Sequence, residues 1–304
     1  MAGIRRSLAA VLATATFALA AASAGVADSG PPPDGPDLAA MALSTSDLHA
    51  NNVDLESYTT VAGMRTYYRA FGGPVHVLSG PLDGATNVEV LLADGDAAQH
   101  EFALARRSLR LPAQRASFAR AMATIFMSAS KLKVTKPTAS ALRTLGFGDE
   151  SAAFTVTLKL RKGVARIGLG LVRIDRVIGY VALLDLKHKI RNADVDAATA
   201  LFAKHAHDGL VIGSVAGPSV PAAPAQGQWT TADRGRWSGG PSAFEYQWSR
   251  CDASGAACAP IDGATEQAYA VTAADAGYRV EVTITATNGV STLSETSAAS
   301  GVVT

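Results

Sequence analysis

Two stretches near the C-terminus alternate large apolar with polar side chains, and they limit the fold more than any other feature of the chain. Phe244-Glu245-Tyr246-Gln247-Trp248-Ser249-Arg250-Cys251 is followed by Cys258 and then by Tyr278-Arg279-Val280-Glu281-Val282-Thr283-Ile284-Thr285-Ala286. A period of two places alternate residues on opposite sides of an extended chain, so each run reads as a strand with one face in a core and one in water. Phe244, Tyr246 and Trp248 line the apolar face of the first, and Tyr278, Val280, Val282 and Ile284 that of the second. With Gly/Asp/Ser-rich turns between them, they predict a small β-sandwich with a core of Tyr246, Trp248, Val280, Val282 and Ile284.

The cysteines fit an oxidising compartment. Cys251 and Cys258 are the only two, seven residues apart around Asp252-Ala253-Ser254-Gly255. A hairpin of this kind closes readily into a disulfide outside the cytosol. The loop is short, so its chain-entropy contribution is at most roughly 2.5 kcal/mol. Zinc is disfavoured, because all six histidines precede Cys251 and a structural site takes four ligands. The N-terminus agrees with export. Arg5-Arg6, the apolar run Leu8 to Ala20 and the small residues Ala22-Ser23-Ala24 have the layout of a signal peptide over residues 1–24. No later apolar run approaches the roughly 20 residues that span a bilayer, so no transmembrane segment is expected.

Of 304 residues, 48% are apolar and the formal charge is +1, which suggests two domains once a leader is removed. Residues 25–43 are Pro/Gly/Asp/Ala-rich and read as disordered. The Pro/Ala-rich stretch 213–226 reads as a semi-rigid linker between a first domain at 44–212 and the sandwich at 227–304. In the first domain Val88, Val90 and Leu92 alternate before Asp94-Gly95, and Ala98, Phe102, Ala105 and Leu109 then repeat at helical spacing. A second helical stretch covers Ala113 to Ser128. Phe154, Val156, Leu158 and Leu160 alternate with polar residues, and Lys162-Gly163 and Asp175-Arg176 turn the chain into Val164–Ile174 and Val177–Leu184. Strands joined this tightly are antiparallel. Val195 to His207 supplies a closing helix stopped by Gly209. The expected class is α+β, an antiparallel sheet with helices on one face, followed by the all-β sandwich.

Residues 227–304 resemble the immunoglobulin-like modules of secreted actinobacterial proteins. The likeness rests on Tyr246, Trp248, Arg250, Cys251, Cys258, Ile261-Asp262-Gly263-Ala264 and Asp275-Ala276-Gly277. It departs from the antibody pattern, since Cys251 and Cys258 are too close in sequence to staple two sheets. The first domain more weakly resembles the α/β sensor-like domains of secreted actinobacterial lipoproteins and kinase ectodomains. That likeness is carried by Tyr58, Tyr67-Tyr68-Arg69-Ala70-Phe71, the strand–helix unit from Val88 to Leu109, and Gly148-Asp149. The lipoprotein cysteine is missing. The resemblance implies non-catalytic modules.

The chain has no Gly-x-Ser-x-Gly elbow, P-loop, Rossmann fingerprint or His-Glu-x-x-His motif, and neither a cofactor nor a metal is expected. Gly168-Leu169-Gly170 reads as a site of close packing rather than a nucleotide loop. His205 and His207 project about 200° apart on a helix, so they read as surface residues. His100-Glu101 reads as a solvated helix edge. Asp149-Glu150, and Asp194 with Asp196, suit capping and turns better than acid/base work.

Charge is strongly segregated. Residues 25–102 hold 2 basic and 11 acidic side chains, and residues 103–191 hold 18 basic and 4 acidic. Either the two segments neutralise each other in the fold, or Lys131, Lys133, Lys136, Arg143, Lys159, Arg161 and Arg166 form a basic, anion-binding surface. Aromatic residues do not interleave with this segment, and nucleic acid is a poor partner for an exported chain. The expectation is a secreted, non-catalytic recognition protein of the cell envelope, with an anionic envelope polymer or a protein as partner. The alternatives are an extracellular hydrolase-like enzyme with a first-domain pocket, and a carrier whose apolar ligand lies among Phe102, Phe118, Phe154 and Leu158.

Overall fold

The computed structural model describes residues 26–28 and 35–304, apart from 62, 63, 79, 188 and 189. The predicted leader lies outside them. The chain is mostly β, with antiparallel sheets and few helices, and it divides into two compact units, Asp37–Gly209 and Leu210–Thr304.

In chain order the first unit comprises β1 (Val26–Asp28), α1 (Leu38–Met41), β2 (Leu55–Val61), β3 (Met64–Val75), β4 (Leu82–Leu91), α2 (Gly95–Arg110), α3 (Pro112–Ser130), β5 (Val134–Ala139), β6 (Arg143–Leu145), β7 (Glu150–Leu160), β8 (Val164–Ile174), β9 (Val177–Asp185) and α4 (Asn192–Leu210). The strands form one antiparallel sheet in the order β1-β2-β3-β4-β9-β8-β7-β5, with β6 also paired to β7. The tight β7–β8–β9 meander follows the alternation that predicted it. Helix α2 starts at Asp94, whose carboxylate accepts from the Ala97 amide at 2.7 Å, and carries basic Arg107 and Arg110 in its last turn, both favourable to the helix dipole.

Helices cover both faces of this sheet, not one. Phe154, Val156, Leu158, Ile167, Leu169, Leu171, Ile178 and Tyr180 share a core with Ala98, Phe102 and Leu109 of α2 and Met122, Ala123 and Phe126 of α3. The residues between them face the other way, toward α4. A Cβ on Gly170 would overlap Thr199, and one on Gly179 would overlap Phe202. Close packing therefore explains Gly168-Leu169-Gly170, because only glycine lets α4 approach so near. A strand covered on both faces loses the alternation that marks a solvated face, and β9 is buried along its whole length.

Three further expectations are corrected. Residues 35–43 are ordered: Asp37 caps α1, and Leu38, Met41 and Leu43 in that Pro-rich tract are fully buried. Gly209 does not stop α4, which runs on to Leu210. The glycine sits within the helix, where a Cβ would press on Met41. The 213–226 stretch is not a spacer. Its first residues pair with the second unit, Ser219 bridges Asp233, and the Gly301 amide donates to the Ala222 carbonyl at 2.8 Å. Proline holds this segment extended, and Val220 packs against the second unit's core.

The second unit contains β10 (Gly213–Ala216), β11 (Trp229–Thr231), β12 (Arg236–Ser238), β13 (Ala243–Cys251), β14 (Ala259–Pro260), β15 (Ala268–Ala270), a 3-10 turn at Ala273–Asp275, β16 (Arg279–Thr287) and β17 (Thr292–Thr296). Strands β14-β13-β16-β17 form the main sheet, while β10 pairs with β12 and β11 with β15. Their inward residues meet in one cluster: Trp237, Trp248, Tyr269, Val280, Val282, Ile284 and Ala286. Trp248 is fully buried, stacks on Tyr269 at 5.5 Å and donates its indole N–H to the Glu266 carbonyl at 2.9 Å. An aromatic side chain so placed is worth about 3 to 5 kcal/mol against alanine. Tyr246 packs on the rim of this core. Tyr278 departs from the expectation: it precedes β16, is exposed, and lies beneath the Arg250 guanidinium at 5.8 Å.

Candidate functional site

The basic residues divide into two groups. Arg143 is taken up by the fold, since its guanidinium meets both carboxylate oxygens of Asp196 at 2.6 and 3.0 Å. Arg166 is half-buried on β8, in register with Asp185 of β9. Neither belongs to an open surface.

Lys131, Lys133, Lys136, Lys159 and Arg161 do. All five are exposed and lack an ion-pair partner among the described residues. The fold gathers them. Lys131 caps α3 in the left-handed region, φ 60°, a position where a cation also suits the helix dipole. Lys133 follows it into the edge strand β5. Lys136 pairs in register with Lys159 of β7, and Arg161 begins the β7–β8 turn. Lys162 in the same turn is likewise exposed and unpaired; it was missed in the sequence although it adjoins Arg161.

The electrostatics of this edge are unfavourable by themselves. Residues directly opposite on antiparallel strands hold their Cβ atoms about 5 Å apart, and like charges there are destabilising. Lys136 and Lys159 are such a pair. The acidic segment does not compensate them. Asp94 caps α2 and Glu56 binds Arg69 at 2.9 Å; outside that segment, Asp149 and Glu150 bind Arg173 and Arg106. The edge itself has a second use: lysines and Pro137 on β5 keep another strand from pairing there.

Other candidates are absorbed by structure. Cys251 and Cys258 form a disulfide, which takes both sulfurs out of the Cys251–Cys258–Glu281 grouping, the one cluster of metal-ligand type among the described residues. Ser44, Asp47 and His205 come together, but in the wrong order for nucleophilic catalysis. Asp47 lies between the others, accepting from Ser44 Oγ at 2.6 Å and contacting His205 Nε2 at 3.4 Å. An imidazole must touch the hydroxyl to take its proton; here Asp47 also accepts from the Ser44 amide at 2.7 Å, a turn-closing arrangement. His207 sits apart, beside Asp208 at 3.6 Å. The proposed lining for an apolar ligand is filled core: Phe102, Phe154 and Leu158 are buried, and Phe118 packs edge-on to Phe154 at 5.4 Å.

No protein family matches the chain, and comparison with curated proteins finds no significant match.

Proposed function

We propose that this is an exported, non-catalytic recognition protein whose first unit, an α+β module, binds an anionic polymer of the cell envelope along the β5–β7 edge. The second unit is an immunoglobulin-like β-sandwich serving as a spacer or docking module. The observation that carries this reading is the juxtaposition of Lys136 and Lys159, exposed and without an ion-pair partner among the described residues, beside Lys131, Lys133, Arg161 and Lys162. A bound polyanion relieves the repulsion among them, and the field of such a cluster steers anions toward it. Export is supported by the leader-like N-terminus and by the disulfide, which persists in oxidising compartments. No helix among the described residues is long and apolar enough to cross a membrane.

The test is binding of the full chain to soluble polyphosphate and to dextran sulfate across a salt series. Affinity should fall steeply as salt rises through physiological strength, where the screening length is about 8 Å. The variant carrying Lys131→Glu, Lys133→Glu and Lys136→Glu should lose about tenfold or more in affinity with its melting transition retained. Binding that is indifferent to salt, or unchanged in the variant, rejects the reading.

A further inference from the structure

A cleft of about 280 Å³ opens between α2 and the sheet, away from the basic edge. Its floor is Val90 and Leu92 with Ile178 and Tyr180; Val90 and Ile178 are register partners on β4 and β9. One stripe of α2 forms the wall, because Glu101, Leu104, Ala105 and Ser108 stand at i, i+3, i+4 and i+7. The volume is at the small end of ligand pockets, and a mostly apolar lining with a few polar groups is their usual composition.

Two of those polar groups are available to a ligand. Tyr180 is only 6% exposed, lines the cleft, and its hydroxyl has no hydrogen-bond partner among the described residues. Its ring is buried while its hydroxyl opens into the cleft, where a ligand can reach it. Glu101 is exposed at the cleft and also lacks a hydrogen-bond or ion-pair partner there. Burial, and then the charge of Glu101, push the Tyr180 phenol up to about 12, so it stays a neutral O–H. No arginine of the same helix lines the cleft, and Arg106 binds Glu150 at 3.2 Å. The cleft thus presents an apolar floor, one carboxylate, and the hydroxyls of Tyr180 and Ser108. An anionic head group would face Glu101 unfavourably, and a purely apolar ligand would leave the phenol unsatisfied.

We propose that this cleft binds a small amphipathic amine, its apolar body on Val90, Leu92 and Ile178 and its ammonium on Glu101, with Tyr180 as the second polar contact. None of these residues belongs to the anion-binding edge, so either proposal can fail alone.

The experiment is calorimetric titration of the full chain with three matched probes: phenethylamine, 2-phenylethanol and 3-phenylpropionate. The amine should bind about tenfold more tightly than the alcohol, as expected for one charge-assisted hydrogen bond at a partly solvated site, and the carboxylate should bind least. Glu101→Gln, an exposed helix position, should bring amine and alcohol level, and Ala105→Trp should fill the cleft and abolish both. Failure of the amine to bind, equal binding of all three probes, or amine binding that survives Glu101→Gln overturns the proposal. Should Ala105→Trp fail to fold, the Glu101→Gln comparison alone decides.

Discussion

The two units treat a buried carboxylate in opposite ways. In the second, Asp275 is fully buried and surrounded by donors. It accepts from the Thr272 amide at 2.7 Å, the Thr272 hydroxyl and the Tyr269 hydroxyl at 2.8 Å each, and Arg250 Nε at 2.7 Å. In the first, Glu89 is as deeply buried, in register with Gly179, over which Phe202 of α4 lies. It is bonded to Asn87 through one oxygen, while Oε2 has no partner among the described residues. Burial opposes ionisation at both sites, but around Asp275 the hydrogen bonds outweigh it and hold the carboxyl below the usual aspartate range. At Glu89 burial dominates and pushes the carboxyl well above the glutamate range. Donor supply, rather than depth, decides whether a buried acid is charged. The same contrast recurs at the surface, where the first unit sets Lys136 against Lys159 with no ion-pair partner for either among the described residues.

The largest effect expected from this contrast is at Asp275. Replacing it with asparagine turns an acceptor-only group into one that presents an N–H₂ to donors already facing it. The second unit should lose about 3 kcal/mol. The sign with pH follows from the lowered folded-state value. The contribution is fully present above the unfolded aspartate value of about 3.9 and is lost as pH falls through the folded one. Trp229, Trp237 and Trp248 all lie in the second unit, so tryptophan fluorescence melts between pH 2 and 7 isolate it. Equal acid sensitivity in wild type and Asp275→Asn would remove Asp275 from its role.

Glu89 should behave in the reverse sense and more mildly. Its folded-state value is raised, so stability is full below the unfolded glutamate value of about 4.3 and declines as pH rises, by at most about 1.4 kcal/mol per unit. Glu89→Gln keeps the shape and removes the proton, so that decline should flatten and the first unit should gain stability at pH 8. Among the described residues the α-helices belong to the first unit, and ellipticity at 222 nm follows it. Parallel pH profiles for wild type and Glu89→Gln would show that the carboxyl ionises without cost.

These two acids also mark how far the sequence could be read. The β7–β9 meander was legible because Phe154, Val156 and Leu158 alternate cleanly with polar residues, and α2 because Ala98, Phe102 and Leu109 keep a helical period. Glu89 was not, since between Val88 and Val90 it looks like the wet side of a strand; only the packing of α4 on the second face buries it. Asp275 was visible as part of Asp275-Ala276-Gly277, but its partners Tyr269 and Arg250 are set by tertiary packing. Trp237 escaped notice because β12 is three residues long and shows no period. In the candidate site the five exposed cations cluster within 131–161, so sequence proximity found them. Arg143 was misassigned because its partner, Asp196, lies 53 residues away.

The smallest effect separates stability from function at the basic edge. Lys136→Glu replaces a like-charge pair across β5 and β7 with an opposite-charge one. Cross-strand pairs of this kind contribute about 0.2 to 1 kcal/mol, reduced by salt because both side chains are exposed. The first unit should therefore melt slightly higher, by a few tenths of a kcal/mol at low ionic strength. The added carboxylate should also repel a polyanion and engage Lys159, so polyphosphate binding should weaken in the same variant. A residue kept only to blunt an edge strand would show the gain in stability without the loss of binding, because glutamate blunts an edge as lysine does. Higher stability with weaker binding marks Lys136 as a position where the fold gives up stability to leave charge available for a ligand. Lower stability would show that the Lys136–Lys159 repulsion is absent in solution, and with it the main argument for the site.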